Sequence, residues 1–164
     1  MINYIVNFLI SIIPSSRLFG LKRVLLSLTG ACVGKNVRVM RICVEGVSLS
    51  IGDNTFTGDK TLISGGVSEV KIGKNCDISS HVNIITGTHQ IGTIEKAAGE
   101  GYSENITIED GVWIGFGATI LNGVIIGKGS IIAAGSVVTN NIPSGVLAAG
   151  VPATVKKQLF KLDN

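Results

Sequence analysis

Two histidines, His81 and His89, are the side chains here whose ordinary pKa suits proton transfer near neutral pH. His89 closes the segment "ITGTH" and opens an irregular stretch, "QIGTIEKAAGEGYSEN". An imidazole there can act as a general base for a hydroxyl nucleophile. Its second ring nitrogen then needs an acceptor. Glu95, Glu100 and Glu104 in the same stretch are candidates, with solvated loop charges as the other reading of each. His81, in "SSHVN", reads as a turn residue or a cleft wall. Asp59 and Lys60, in "GDK", either orient hydroxyls or make an ordinary turn, and Lys156–Lys157 either meets a phosphate or is a solvated pair. Cys32, Cys43 and Cys76 form no CxxC pair and no even-numbered framework, so they read as small buried apolar residues. Two histidines are too few for a three-histidine metal centre, and no metal site is expected.

These residues must be positioned by something, and the chain carries a beat that supplies it. Ile108, Ile114, Ile120, Ile126, Ile132 and Val138 recur every six residues. Val112, Ala118, Val124, Ser130, Ser136 and Ile142 follow four residues after each. Upstream, Val33, Val39, Ile51 and Ile63 share one phase, and Ile72, Ile78 and Ile84 resume after a shift of three. A helix needs apolar residues every 3.6 positions and a lone strand every two, so six fits neither alone. It fits short strands separated by turns, each turning one aliphatic residue inward. Such hexads predict a parallel β-helix in which three hexads make a triangular coil. The histidine-led stretch, about residues 90–105, is then a loop extruded from the stack.

The 164 residues suit one domain. Net charge is +3 with no long basic run, which excludes a nucleic-acid-binding footprint but suits a polyanionic small molecule. The first 30 residues read as a helical segment. Its apolar run from Ile2 to Ile13 stops at Pro14, short of the roughly 20 residues a membrane span needs. The run lacks a basic leader, which argues against a signal peptide. This segment either packs on the domain or a neighbouring subunit, or lies on the inner membrane surface with Arg17, Lys22 and Arg23 assisting. The expected organisation is a helical segment over 1–30, a β-helix over 31–155, and a tail or short helix over 156–164. Its expected location is cytoplasmic, with the inner membrane face open.

From Ile72 to Lys157, "ITGTH", the loop, and then "VWIG" and "AAGVPA" resemble the hexapeptide-repeat acyltransferases. The likeness is to their sugar O-acetyltransferase branch, which includes galactoside, maltose and surface-polysaccharide acetyltransferases. That resemblance implies a left-handed β-helix, a homotrimer with active sites between subunits, and acetyl-CoA as donor. It implies His89 as the general base and Trp113 near it, where the indole shapes the acceptor pocket or simply fills a coil corner. Coenzyme A would run past Gly115, Phe116, Ala134, Thr139 and Asn140, with Pro152 and Lys157 at its nucleotide end. Asp59, Lys60 and Asn83 would line the acceptor side. Two positions depart from the family pattern: Asn140 and Thr154 stand where lysine and arginine are common, removing positive charge from the nucleotide end. The implied reaction is O-acetylation of a sugar hydroxyl, free or lipid-linked, in O-antigen or surface-polysaccharide synthesis. The alternative is N-acetylation of a nucleotide-linked amino sugar. A further alternative is a non-catalytic β-helix, ice-binding or scaffold: a regular Thr-x-Thr ladder would favour ice binding and is absent, and the loop after His89 has no purpose in that reading.

Overall fold

The computed structural model describes residues 2–160. Short strands stack in parallel on three faces of a prism, as the six-residue beat predicts. The first face runs Cys32–Val33, Ser48–Ile51, Glu69–Ile72, Ile106–Ile108 and Ile125–Ile126. The second face carries Arg38–Val39, Phe56–Thr57, Asp77–Ile78, Trp113–Ile114 and Ile131–Ile132, the third Ile42–Glu45, Thr61–Ser64, Asn83–Ile85, Thr119–Ile120 and Val137–Val138. The strands turn one or two residues, mostly aliphatic, into the prism, where each meets the same position one coil away. Val44, Ile63, Ile84, Ile120 and Val138 form one such column, all buried. The small residues four places on, such as Ala118 and Ser130, are buried at the corners, where the chain turns tightly.

Register explains both irregularities in the beat. Trp113 pairs with Ile131, 18 residues on, which is three hexads. Ser50 pairs with Lys71, 21 residues on, which absorbs the shift of three. Asp77 pairs with Trp113, 36 residues on, so the excursion after Ile85 consumes the equivalent of one whole coil. That excursion is a β-hairpin. Gly87–Ile91 pairs antiparallel with Ala98–Ser103, the tip lies at Thr93–Lys96, and a bulge falls between His89 and Ile91. The Glu104 N–H donates to the Thr86 carbonyl at 3.0 Å, so the stem closes where the prism resumes.

The start of the stack is covered by helices, and at the other end one face is extended by two further strands. At the start, helices α1 (Ile2–Ile12) and α2 (Phe19–Ser27) pack against the first coil through Val6, Ile10 and Leu26. The Asn7 amide bonds both polar groups of Val44: Nδ2 donates to its carbonyl at 3.0 Å and Oδ1 accepts from its N–H at 3.2 Å. A side chain thus stands in for a missing strand. Lys22 does not assist a surface in the way its charge suggests. It is 0% exposed, with Nζ donating to the carbonyls of Pro14 (2.9 Å) and Ser15 (2.7 Å), and burial lowers its pKa. It ties down the link between the helices. At the other end, Val146–Gly150 joins the second face and Ala153–Gln158 folds back on it antiparallel. Residues 156–158 are therefore strand rather than tail or helix, because they pair with the edge of Val146–Gly150. Residues 161–164 of the expected tail lie outside the described residues.

Candidate active site

Chain order defines three corners. The one between the third and first faces is where the hairpin leaves, and His89 lies in the hairpin's first strand opposite Gly101. A Cβ at Gly101 would sit 3.5 Å from His89 Nε2, so the imidazole lies across the facing strand with no side chain beneath it. Around the ring is an open recess of about 390 Å³, lined by Gly66, Val67, Thr88, Tyr102 and Ser103 together with glycines of the stem. The imidazole edge is exposed, and backbone approaches it from three segments. Among the described residues no hydrogen bond joins His89 to a carboxylate. Glu104 accepts from Asn122 Nδ2 instead, and the Thr93 hydroxyl holds the Glu95 carboxyl below its usual range. Glu100 is exposed beside Gly101.

The same corner carries Thr139 and Asn140, which line a smaller recess of about 250 Å³ with Glu104, Asn122 and Gly123. Asn140 Nδ2 donates to Thr139 Oγ1 at 3.0 Å. Gly115, Phe116 and Ala134 lie elsewhere, at the corner between the second and third faces. Neighbouring coils stack tightly there: a Cβ at Gly115 would come within 2.5 Å of the Ala134 nitrogen. His81 joins this corner, its ring 5.1 Å from that of Phe116, in a left-handed backbone conformation (φ 61°) that histidine adopts more readily than most residues. It is thus a wall residue of that edge, separate from His89. Pro152 sits at the turn of the closing hairpin, and Lys157 pairs with Leu147 on the second face. Trp113 points outward from that face, half-exposed, between Asp77 and Ile131. Asn83 points outward from the third face, its amide 3.4 Å from Thr119 Oγ1. One prism therefore divides the expected donor track between two corners and leaves His89 beside only part of it.

Asp59 and Lys60 also occupy the second-to-third corner. Arg41, which sequence reasoning did not single out, grips Asp59 in a fork: Nε donates to Oδ1 at 2.7 Å and Nη2 to Oδ2 at 2.5 Å. The guanidinium holds the Asp59 carboxyl below its usual range. Any hydroxyl that Asp59 binds must share it with Arg41. Lys60, at φ 56°, lines a shallow recess of about 380 Å³ between α1 and the third face with Asn7, Ser11 and Arg41. Because the folded pKa of Asp59 is depressed, the pair's contribution is present above about pH 4 and is lost as pH falls through the depressed value. In Arg41→Gln, NMR titration of Asp59 is expected to return toward the ordinary carboxylate range, and that component of acid sensitivity in urea unfolding to disappear. Both groups are partly solvated, so the change in neutral-pH stability is expected to be small.

Of the cysteines only Cys76 is buried. Cys43 is half-buried, its thiol pushed up to about 11 by burial and by Glu45, and Cys32 is exposed. The two perturbed thiols are held protonated, which leaves them poor nucleophiles. No cluster of potential metal ligands occurs among the described residues. Tyr102, Ser103, Gly66 and Val67, which complete the His89 recess, were not legible in advance. They come together only once the hairpin register and the coil stacking are known.

Comparison with known proteins places this arrangement. Residues 105–140 match the family described as bacterial transferase hexapeptide (six repeats). The galactoside O-acetyltransferase of Escherichia coli strain K12 is 39% identical over 118 residues, covering 72% of this chain and 58% of that protein. The galactoside O-acetyltransferase of Lactococcus lactis is 33% identical over 130 residues, covering 79% and 56%. The chain thus spans a little over half the length of these curated relatives. A hexapeptide-repeat-containing acetyltransferase of Vibrio cholerae O1 biovar eltor, crystallised with acetyl coenzyme A, superposes with a TM-score of 0.83 at 27% identity, over 98% of this chain and 86% of that one.

Proposed function

We infer that this chain belongs to the hexapeptide-repeat acyltransferases, on their sugar O-acetyltransferase side, and from that premise propose that it moves an acetyl group from acetyl-CoA to a sugar hydroxyl. The observation that carries the reading is His89, held at a hairpin stem over a bare glycine and open to a recess able to admit a hydroxyl-bearing ring. The acceptor oxygen attacks the thioester carbonyl as its proton passes to the imidazole. The carbon–sulfur bond breaks and the thiolate leaves, taking the proton back from His89. Backbone N–H groups near the recess are the candidates for stabilising the oxyanion.

The second-to-third corner suits the pantetheine arm: Gly115 and Ala134 present backbone and small side chains to a long uncharged chain, with the exposed Phe116 ring beside them. Lys156 and Lys157, both exposed, offer charge for phosphate beside Pro152. Since one prism splits these residues from His89, a complete site needs a second copy, whose second-to-third corner faces the first copy's hairpin. The nearly fully exposed Val67, Ile91 and Ile94 at the hairpin corner support this arrangement, and a homotrimer closes it symmetrically. Asp59, Lys60, Asn83 and Trp113 are proposed on the acceptor side, residues 31–155 as the catalytic body, and 1–30 as its helical cap. A surface-polysaccharide precursor, free or lipid-linked, is the proposed acceptor. No described helix is long and apolar enough to cross a membrane.

Calorimetric titration with coenzyme A tests the donor without an acceptor. Saturable binding near one molecule per chain is expected. Absence of binding at millimolar ligand, from protein shown to be folded, would overturn the donor assignment.

A further inference from the structure

We propose that the outer face of the helical cap docks on an anionic lipid surface. The inference stands on the cap alone and does not depend on the acetyltransferase reading. Helix α1 has two apolar stripes. Val6 and Ile10 are buried against the first coil, while Tyr4 (77% exposed), Phe8 (64% exposed) and Ile12 point the opposite way at helical spacing. Rotation cannot hide the second stripe, because the Asn7 amide is locked to both polar groups of Val44. Helix α2 repeats the pattern: Leu26 is buried, while Leu21, Val24 and Leu28 are exposed. The cap therefore offers water a set of large apolar side chains that folding of this chain leaves uncovered.

Charge selects the occupant. Up to Glu45 the chain contains six basic residues and no acidic one, whereas the remainder has eight basic and eleven acidic. Of these six, Arg17 is exposed and Arg23 half-buried on the cap itself, and Lys35 and Arg38 are exposed on the first coil. A second copy would need an acidic surface to match these cations, whereas the acidic residues of this chain all follow the cap in sequence and the exposed Glu45 lies beside Tyr4 and Asn7 of the cap itself. A bilayer with anionic headgroups matches both features: apolar side chains enter the acyl boundary and arginines meet phosphate. With no helix long enough to span, the association is peripheral and reversible.

The test uses the full chain with vesicles of phosphatidylcholine containing phosphatidylglycerol, and with phosphatidylcholine alone, read by flotation. Binding is expected to the anionic vesicles, weakened by salt. Phe8→Asp, at an exposed position, is expected to weaken it at least tenfold with unchanged circular dichroism and unchanged mass by light scattering. Arg17→Glu is expected to weaken it about fivefold or more, from roughly 1 kcal/mol per surface cation. The urea-unfolding midpoint of both variants serves as a second measure of folding. Failure to float with anionic vesicles, or undiminished flotation of Phe8→Asp, would overturn the proposal. A fall in oligomer mass in Phe8→Asp would also overturn it and assign the face to a second copy.

Discussion

His89→Ala is expected to lower kcat for acetylation of a sugar hydroxyl by about a hundred- to ten-thousand-fold, with coenzyme A affinity unchanged. The magnitude is that of losing a positioned base from a transition state in which a weak nucleophile sheds its proton. Affinity is spared because the groups proposed to hold most of the donor, Gly115, Phe116, Ala134 and Lys157, are supplied by other elements than the hairpin that carries His89. Steady-state kinetics and calorimetry on the same preparation check both halves. A variant that loses coenzyme A binding along with rate would make His89 a structural residue of the hairpin. The acceptor adds a second discrimination. An amine that enters already deprotonated needs the base less, so a small effect on an amino sugar beside a large one on a hydroxyl separates N- from O-acetylation.

Ile84→Ala is expected to cost about 2–5 kcal/mol of stability, read as a lower denaturant midpoint in urea unfolding. Ile84 is 0% exposed and stacked between Ile63 below and Ile120 above, so its truncation leaves a hole with aliphatic walls fixed by neighbouring coils. Backbone ladders on both sides resist collapse into that hole, which places the cost toward the upper part of the range. Ile84 also sits two residues before Thr86, where the hairpin departs, so its loss loosens the base of the candidate site. A midpoint change matching that of an exposed substitution such as Lys128→Ala would contradict the column as a principal source of cohesion.

The prism was legible because its physics is one-dimensional. A buried aliphatic residue must recur whenever the chain completes a face, and that demand is written at Ile108, Ile114 and Ile120 regardless of what lies elsewhere. The site was legible only in part. His89 announced itself because the beat stops beside it. Tyr102 and Ser103 did not, since their place opposite Thr88 and Gly87 depends on a turn and a bulge that leave no repeating pattern. Arg41 was hidden for a related reason. Its partner Asp59 lies 18 residues away, one coil on, and nothing local to either residue marks the pairing. The C-terminal strand was missed because it pairs antiparallel to the rest of its face, so Lys156 and Lys157 carry none of the hexad signal.

The closed stem at Thr86 and Glu104 has a bearing on how such a molecule can diversify. Because the excursion returns to the same column, the coils on either side of it stay in register. The aliphatic columns that hold the prism together and the hairpin that carries His89 are therefore separate stretches of chain. A change in the length of the hairpin tip, around Thr93–Lys96, then leaves those columns where they are.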